Sequence, residues 1–437
     1  MLNFLTFHKP KRAFFFCKRT AILAKLAPMF KAFFLTIFCI CCCIATDAQT
    51  LYSISGVVKD KRGETLPGAG IYLSGYTIAT VTNNDGQFVL SKLKPGSYEV
   101  VVQMIGYLPY SKSVVISDRA MNISIVLSEN TIQLNEVVIQ ADPNREKYLQ
   151  VFKEFFIGRT PNSQKCKILN PQVLYVKYDG DHNILNVTSN EFLVVENKAL
   201  GYRLKYMLNL FEYNYNTRIV YFAGLPVFED LKGSGAKRKL WLKNRETAYM
   251  GSPQHFFQSL YRNTVKEEGF VIYKRIKIPN PNRPSDNYIR TTRARLLLKT
   301  HNAVNPGSAI ADSLQTLAHL QDLPKEYVAL DTSGVNTDTL VTTKHVNLRT
   351  INYKDELYVM YTKEQESNVY SNSGHYVLRP LNIPNYEISV VHMLQGPVNF
   401  YANGSMHDAK SLLYEGFWAY EKIGDMVPMD YIPINKR

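Results

Sequence analysis

The sequence predicts a mainly β protein: an N-terminal β-sandwich of about seven short strands, followed by a larger β-rich domain with a few helices. Three observations predict it. Clusters of Pro, Gly and Asn punctuate residues 54–107 wherever a short strand should end. Apolar residues alternate with polar ones between those clusters. Beyond residue 165, runs rich in Val, Ile, Tyr and Phe recur to the C-terminus, and such residues favour strands.

The first 48 residues stand apart from this pattern. Lys31 precedes the apolar run Ala32–Ile44, and Thr46-Asp-Ala48 follows it. A basic flank, a short apolar run and small residues at the cut describe a secretory signal peptide, with cleavage after Ala48. The run is too short for a membrane span, which needs about 20 residues. Residues 1–28 are either a start codon placed too early or a long basic leader, since Met29-Phe-Lys31 is a sufficient beginning. The bulky residues before Cys39 and Cys41 do not suit lipid attachment. Five of the six cysteines (Cys17, Cys39, Cys41, Cys42 and Cys43) lie in this segment, leaving Cys166. A disulfide framework is therefore excluded, and stability must come from a buried core. Cys166 reads as a half-buried strand residue.

Cleavage leaves 44 basic against 36 acidic residues, a net charge of +8 in place of +14. The excess is spread along the chain, apart from Lys237-Arg-Lys239. An exported chain without a recognisable nucleic-acid module excludes a nucleic-acid partner, and the charge serves solubility or a mild attraction to anionic envelope polymers.

Within residues 50–128, Gly56 and Asp60 close the first strand and Pro67-Gly68-Ala69 makes a turn. Ile71 and Leu73 alternate with Tyr72 and Ser74. Asn83-Asn-Asp85-Gly86 is a tight-turn sequence, because Asn and Asp bond their own backbone and Gly accepts positive φ. Phe88 opens the next strand and Pro95-Gly96 a further turn. Tyr98, Val100, Val102 and Met104 then share one strand face, with Glu99 and Gln103 on the other. Gly106-Tyr107 follows, and Ile123, Ile125 and Leu127 repeat the alternation.

Those residues, taken in order, carry a resemblance. Gly56, Pro67, Gly68, Asp85, Gly86, Phe88, Pro95, Gly96, Tyr98, Gly106 and Tyr107 make residues 52–128 similar to the carboxypeptidase-regulatory-like domain. The resemblance implies a transthyretin-like β-sandwich, of the kind found as an N-terminal extension of TonB-dependent receptors and in other Gram-negative envelope proteins. In its namesake enzymes the domain is accessory to the peptidase, so the resemblance implies no hydrolysis.

Residues 129–164 form a link. Thr131–Ile139 reads as one more strand. Asp142 suits an N-cap, Pro143 the first helical turn and Gly158 the stop. Tyr148, Phe152, Phe155 and Phe156 then fall on one side of a helix, as a docking stripe joining the two halves. In residues 165–437, strands are expected at Val173–Tyr178, Tyr202–Leu208, Arg218–Phe222, Val271–Ile278, Ala294–Leu298, Tyr358–Tyr361 and Ile388–Val391. One helix begins at Ser252-Pro253, presents His255, Phe256, Leu260 and Val265, and ends before Gly269. A looser insertion is expected over 302–336. Ile168–Pro171, Glu196–Tyr202 and Arg245–Ser252 resemble a region that follows the regulatory-like domain in other envelope proteins, a resemblance that brings no activity with it.

The chemistry-bearing motifs point away from catalysis. None of the nine histidines has Glu three residues later, as a zinc carboxypeptidase requires, and no H-E-x-x-H occurs. No G-x-S-x-G elbow is present. Ser91-Lys-Leu-Lys94 has the S-x-x-K spacing but lies between strands. Gly233–Lys239 lacks the second half of a P-loop and reads as a flexible basic loop. Asp85 alone cannot supply the six or more oxygens of a calcium site. Glu191, Glu196, Glu212 and Asp230 lie among aromatics and leave a glycoside-hydrolase pair as one alternative; an outer-membrane barrel in the C-terminal half is another.

The reading is a non-enzymatic exported envelope protein of the periplasm or outer membrane, without catalytic, metal or cofactor residues. Its expected partner is an envelope protein, an outer-membrane assembly or a glycan. Processing gives the first prediction. Intact-mass measurement of exported protein should find a chain starting at Gln49, and a species retaining residues 29–48 would show an anchored chain instead.

Overall fold

The computed structural model describes residues 51–130, 142–299, 305–345, 348–379, 382–408 and 410–434. The expected signal segment and the expected strand over 131–139 lie outside them. Seven strands build the N-terminal module: β1 (Tyr52–Asp60), β2 (Gly70–Leu73), β3 (Ala79–Val81), β4 (Gln87–Leu93), β5 (Gly96–Gln103), β6 (Tyr110–Ile116) and β7 (Met121–Leu127). They form two sheets, ordered β4-β1-β7 and β3-β2-β5-β6. Between the sheets Ile54, Val58, Ile71, Leu73, Val100, Val102 and Ile125 are fully buried, following the period-2 alternation. Gly56 is required where β1 and β7 run parallel, since a side chain there would strike the Ile123 carbonyl and the Phe88 ring. At the β4 turn, the Asn83 side chain accepts from the Asp85 and Gln87 backbone N–H groups at 3.0 and 2.8 Å, and Gly86 takes φ +69°.

Helix α1 (Arg145–Ile157) follows. The Asp142 side chain accepts from Asn144 N at 2.8 Å, making a turn one step ahead of the helix in place of the expected cap. Gly158, φ 101°, ends the helix. Strands β8 (Cys166–Ile168), β9 (Leu174–Asp179), β10 (Ile184–Ser189), β11 (Phe192–Asn197), β12 (Tyr202–Asn214) and β13 (Val220–Asp230) then form a six-stranded sheet. Its axis is the long β12. One edge pairs with β13 from Tyr202↔Asp230 to Tyr213↔Val220, and the other is shared by β11 and β10. A bulge between Leu208 and Leu210 marks the hand-over, and Ser189 Oγ accepts from Leu208 N there at 3.1 Å.

The axial strand β12 is buried on both faces. On one, Phe152 and Phe156 of α1 are fully buried and pack edge-on against Phe211 and Tyr206, while Phe155 stacks on Tyr213. On the other, Phe192, Met207, Leu225 and Val227 meet Tyr72 and Val101 of the sandwich. The backbone continues this second seam, with Gly75 N donating to Pro226 O at 2.6 Å and Phe228 N to Tyr76 O at 3.2 Å. The sandwich therefore docks directly on the sheet. The aromatic helix does not join the two halves as expected; it covers the opposite face.

After β13 come α2 (Gly235–Tyr249) and α3 (Pro253–Arg262). A second sheet is ordered β15-β14-β18-β19-β21, from β14 (Phe270–Pro279), β15 (Glu326–Asp331), β18 (Glu356–Gln365), β19 (Tyr386–Met393) and β21 (Leu412–Gly416). A small sheet, β16-β17-β20, uses β16 (Val341–His345), β17 (Leu348–Ile351) and β20 (Val398–Tyr401). Phe256, Phe257 and Leu260 of α3 share one core with Phe270, Leu357, Phe400 and Trp418 from these elements. Ser252 caps α3 by accepting from His255 N, and Asn263 in the left-handed conformation, φ 56°, stops it before Val265.

Several expectations are corrected. Gly233–Lys239 is not a loop: Ser234 caps α2, which buries Trp241, Ala248 and Tyr249. Ala294–Leu298 is helical, within α4 (Asp286–Lys299). The expected loose insertion contains α5 (Ala309–Asp322), paired with α4 as a helical hairpin, and then β15. The sheets among the described residues have free edges, so none closes as the barrel alternative required. No helix among the described residues is long and apolar enough to cross a membrane.

The α1 seam generates the second prediction. Phe152→Ala and Phe156→Ala should each lower unfolding free energy by about 3–5 kcal/mol, the usual cost of truncating a buried aromatic. Their rings stack at 4.7 Å, so the double variant should lose less than the sum. Denaturant melts check both, and unchanged stability would mean that α1 is not packed on the sheet.

Candidate functional site

A cleft of about 880 Å³ opens between the two large sheets. One wall is Phe155 of α1 with Val220, Tyr221, Phe222 and Ala223 of β13. The other is β21 with His392 of β19. The segment from Trp418 to Met429 lines its floor. The volume lies in the range of small-molecule sites, about 300–1,000 Å³.

The floor segment is pinned by side chains. Asp425 accepts from Thr160 Oγ1 at 2.8 Å and from Asn162 Nδ2 at 2.9 Å. Asn197 Nδ2 donates to Gly424 O at 2.8 Å. Met429 N donates to Gly75 O at 2.7 Å, tying the same segment to the sandwich. Burial pushes the Asp425 carboxyl up to about 6, against the hydrogen bonds from Thr160 and Asn162.

Two neighbours on this floor differ in kind from Asp425. The Lys422 ammonium has no hydrogen-bond or ion-pair partner among the described residues, and lies 6.0 Å from the Phe222 ring centroid. The side chain keeps some accessible surface because it faces the cleft, yet protein surrounds it, and that burial lowers its pKa to about 8. Burial likewise pushes the Glu421 carboxyl well up, helped by the charges of Asp425, Glu387 and Glu364. Behind the floor, Glu387 is 7% exposed. Its Oε2 has no hydrogen-bond partner. Burial and the neighbouring Glu364 and Glu366 push it up to about 9, so it is neutral at pH 7.

At the far end of the cleft an ion network crosses β14, β18, β19 and β21. Arg275 Nη1 donates to Glu356 at 2.9 Å and to Glu415 at 3.0 Å. His392 bridges the same carboxylates through Nδ1 at 2.8 Å and Nε2 at 3.1 Å. Burial alone would raise Glu356, but hydrogen bonds from His392 and Lys277 outweigh it and hold the carboxyl at about 2. Burial likewise opposes the His392 charge, and its bonds to Glu356 and Glu415 overcome that and raise it to about 9.

The sequence-based hydrolase candidates are not brought together. Glu191 is exposed between β10 and β11. Glu196 on β11 lies 3.7 Å from both Lys198 and Arg203. Asp230 pairs with Arg245 at 2.7 Å and lines a separate 510 Å³ hollow. Glu212 is near the other end of β12, nine residue steps from Arg203 along the strand, roughly 30 Å. A glycosidase pair needs about 5–9.5 Å. None of the four lines the cleft. Cys166 is buried in β8, with its thiol pushed up by burial to about 12. Among the described residues no three His, Cys, Asp or Glu side chains gather as metal ligands. Sequence reading missed Lys422, Glu421, Asp425 and His392 altogether, and the one legible signal was the charged triplet Glu421-Lys422 and Asp425 within an otherwise apolar terminal stretch.

Residues 54–139 match the CarboxypepD_reg-like domain family. The TonB-dependent receptor SusC of Bacteroides thetaiotaomicron is 37% identical over 111 residues, covering 25% of this chain and 10% of the receptor. Among solved structures, a cohesin–X-dockerin complex from Acetivibrio cellulolyticus is 20% identical over 18% of this chain and 58% of its own, with a TM-score of 0.17. The group B streptococcus pilus 2b backbone protein has the same identity and score, over 42% of its own chain. A 3-chlorocatechol 1,2-dioxygenase from Rhodococcus opacus is 9% identical at a TM-score of 0.16. At such scores these structural likenesses carry no argument about activity.

The ion network sets a pH prediction. A histidine raised to about 9 contributes stability that is complete below its ordinary value of ~6.5 and is lost as pH rises through about 9. A carboxyl held at about 2 contributes stability present above its ordinary ~4.3 and lost as pH falls through about 2. Unfolding free energy should therefore be highest near pH 5–6 as far as this network decides it. His392→Gln should flatten the fall between pH 7 and 9.5, measured by urea unfolding; an unchanged slope would remove the network from the explanation.

Proposed function

We propose that this chain is a non-enzymatic, exported protein of the Gram-negative envelope that binds a ligand in the cleft between its two large sheets. The observation that carries the reading is the cleft itself: about 880 Å³, with an ammonium on its floor that has no partner among the described residues. The CarboxypepD_reg-like module supports the envelope assignment, as does the receptor segment that resembles it. One sheet of the sandwich is committed to the central sheet through Tyr72 and Val101. The opposite sheet, β4-β1-β7, presents Val89 and Val126 to solvent and is the side available to an outer-membrane partner.

Elemental analysis and a substrate panel test the non-enzyme part. Purified residues 49–437 should carry no stoichiometric transition metal and turn over no peptide, ester or glycoside. One zinc per chain, or a turnover abolished by Glu421→Gln with the fold intact, would overturn the reading. Affinity purification from detergent-solubilised envelopes should retain an outer-membrane protein. Introducing Val89→Glu and Val126→Glu together should abolish that retention.

A further inference from the structure

We propose that the cleft binds a carboxylate-bearing amphiphile, a long-chain fatty acid in chemical class, with its carboxylate on Lys422 and its chain along the apolar walls. The inference rests on the reading of this cleft as a ligand site and names what fills it. Charge comes first. Among the cleft's titratable groups, His392 and Glu415 neutralise each other at 3.1 Å, and Asp425 is held by Thr160 and Asn162. Glu421 is driven towards its neutral form by burial. Three cations remain without an ion pair among the described residues: Lys422 inside, and Arg218 and Lys410 exposed at the rim. A half-buried ammonium without a counter-ion carries a desolvation cost, and a ligand carboxylate offsets that cost by a charge-assisted bond.

The walls decide the rest of the ligand. Phe155, Leu210, Val220, Phe222, Met426 and Met429 line the same cleft as Lys422. An oligosaccharide needs hydrogen-bonding partners along its whole length, and the polar lining residues, Gln254, His375 and Ser405 among them, are outnumbered by the apolar ones. An extended acyl chain needs only apolar surface, and two methionines adapt to a flexible chain. Lys422 and Phe222 already stand 6.0 Å apart, so one point brings together the anion site and the start of the apolar wall.

The test uses delipidated mature protein with three probes: hexadecanoate, hexadecan-1-ol and an oligogalacturonate. Calorimetry should show one saturable hexadecanoate per chain, with hexadecan-1-ol binding at least about tenfold more weakly, the usual worth of a hydrogen bond to a charged group. Lys422→Met should weaken hexadecanoate by a similar factor and leave the alcohol unchanged, and Lys422→Arg should restore most of the acid's affinity. If Lys422→Met fails to fold, Leu210→Trp serves as a filling variant that should weaken both lipids. Hexadecanoate binding that ignores Lys422→Met overturns the proposal. Oligogalacturonate binding that is lost in Leu210→Trp, without hexadecanoate binding, overturns the lipid assignment but keeps the cleft as a ligand site. No binding of any probe, together with no co-purifying small molecule by native mass spectrometry, removes both.

Discussion

Strand β12 carries apolar side chains on both of its faces, and the aromatic helix and the sandwich are placed by that fact. Tyr206 and Phe211 point to α1, Met207 points to the sandwich, and all three are buried. A period-2 strand buried on both sides has no solvent face to fall back on. A one-residue slip against β13 would exchange the two sets, putting Met207 under Phe156 and Tyr206 under Val101. The Leu208/Leu210 bulge, held by the Ser189 hydroxyl, allows β11 and β10 to share one edge of this strand without such a slip. The register of one strand thus decides where the helix sits, where the sandwich docks and where the edge of β13 meets the cleft.

The terminal segment completes what β12 begins. Between Lys422 and Asp430 it makes hydrogen bonds to the loop after α1, to β11 through Asn197, and to the sandwich through Gly75 and Thr77. Those bonds leave Glu421 and Lys422 facing the cleft. Ionisable groups are expensive to bury, and this segment holds three within five residues, with Asp425 buried and Glu421 and Lys422 half-buried at the cleft. Perturbed ionisable groups gathered in a concave site mark a candidate functional site. The Arg275–Glu356–His392–Glu415 network is different in kind. Its charges satisfy one another across four strands, and it reads as a structural clasp at the end of the same cleft.

Much of the fold was legible because it is written in short-range chemistry. The Asn83–Gly86 turn, the Gly56 close approach and the alternation of Tyr98, Val100 and Val102 require only neighbouring residues to specify them. The same holds for Ser252-Pro253 at the start of α3. Errors arose where local signals were ambiguous. Ala294–Leu298 is an apolar run that strands and helices both accommodate, and the hairpin with α5 decided for helix. Gly233–Lys239 looked like a loop because its Gly and Lys residues hid the Ser234 cap. Val101 shows the limit most directly. Its place among Glu99 and Gln103 marks an outward face, yet it is 1% exposed, because a sheet nearly a hundred residues away covers it.

The sequence by itself determined the β class, the sandwich with its turns and the resemblance that names its module, since all of these are properties of contiguous segments. Tertiary structure alone decided that the sandwich and the aromatic helix lie on opposite faces of one sheet. It alone separated Glu196, Glu212 and Asp230, and it alone gathered Phe222, Lys422 and Leu210 around one cleft. The physical reason is that a catalytic or binding constellation is a set of distances between side chains, and chain order constrains distances only within a turn or a hairpin. Lys422 is one of 51 basic residues in the sequence. Only the packing of α1, β13 and the terminal segment places it at the cleft without a counter-ion among the described residues, and makes it the residue to which a ligand would answer.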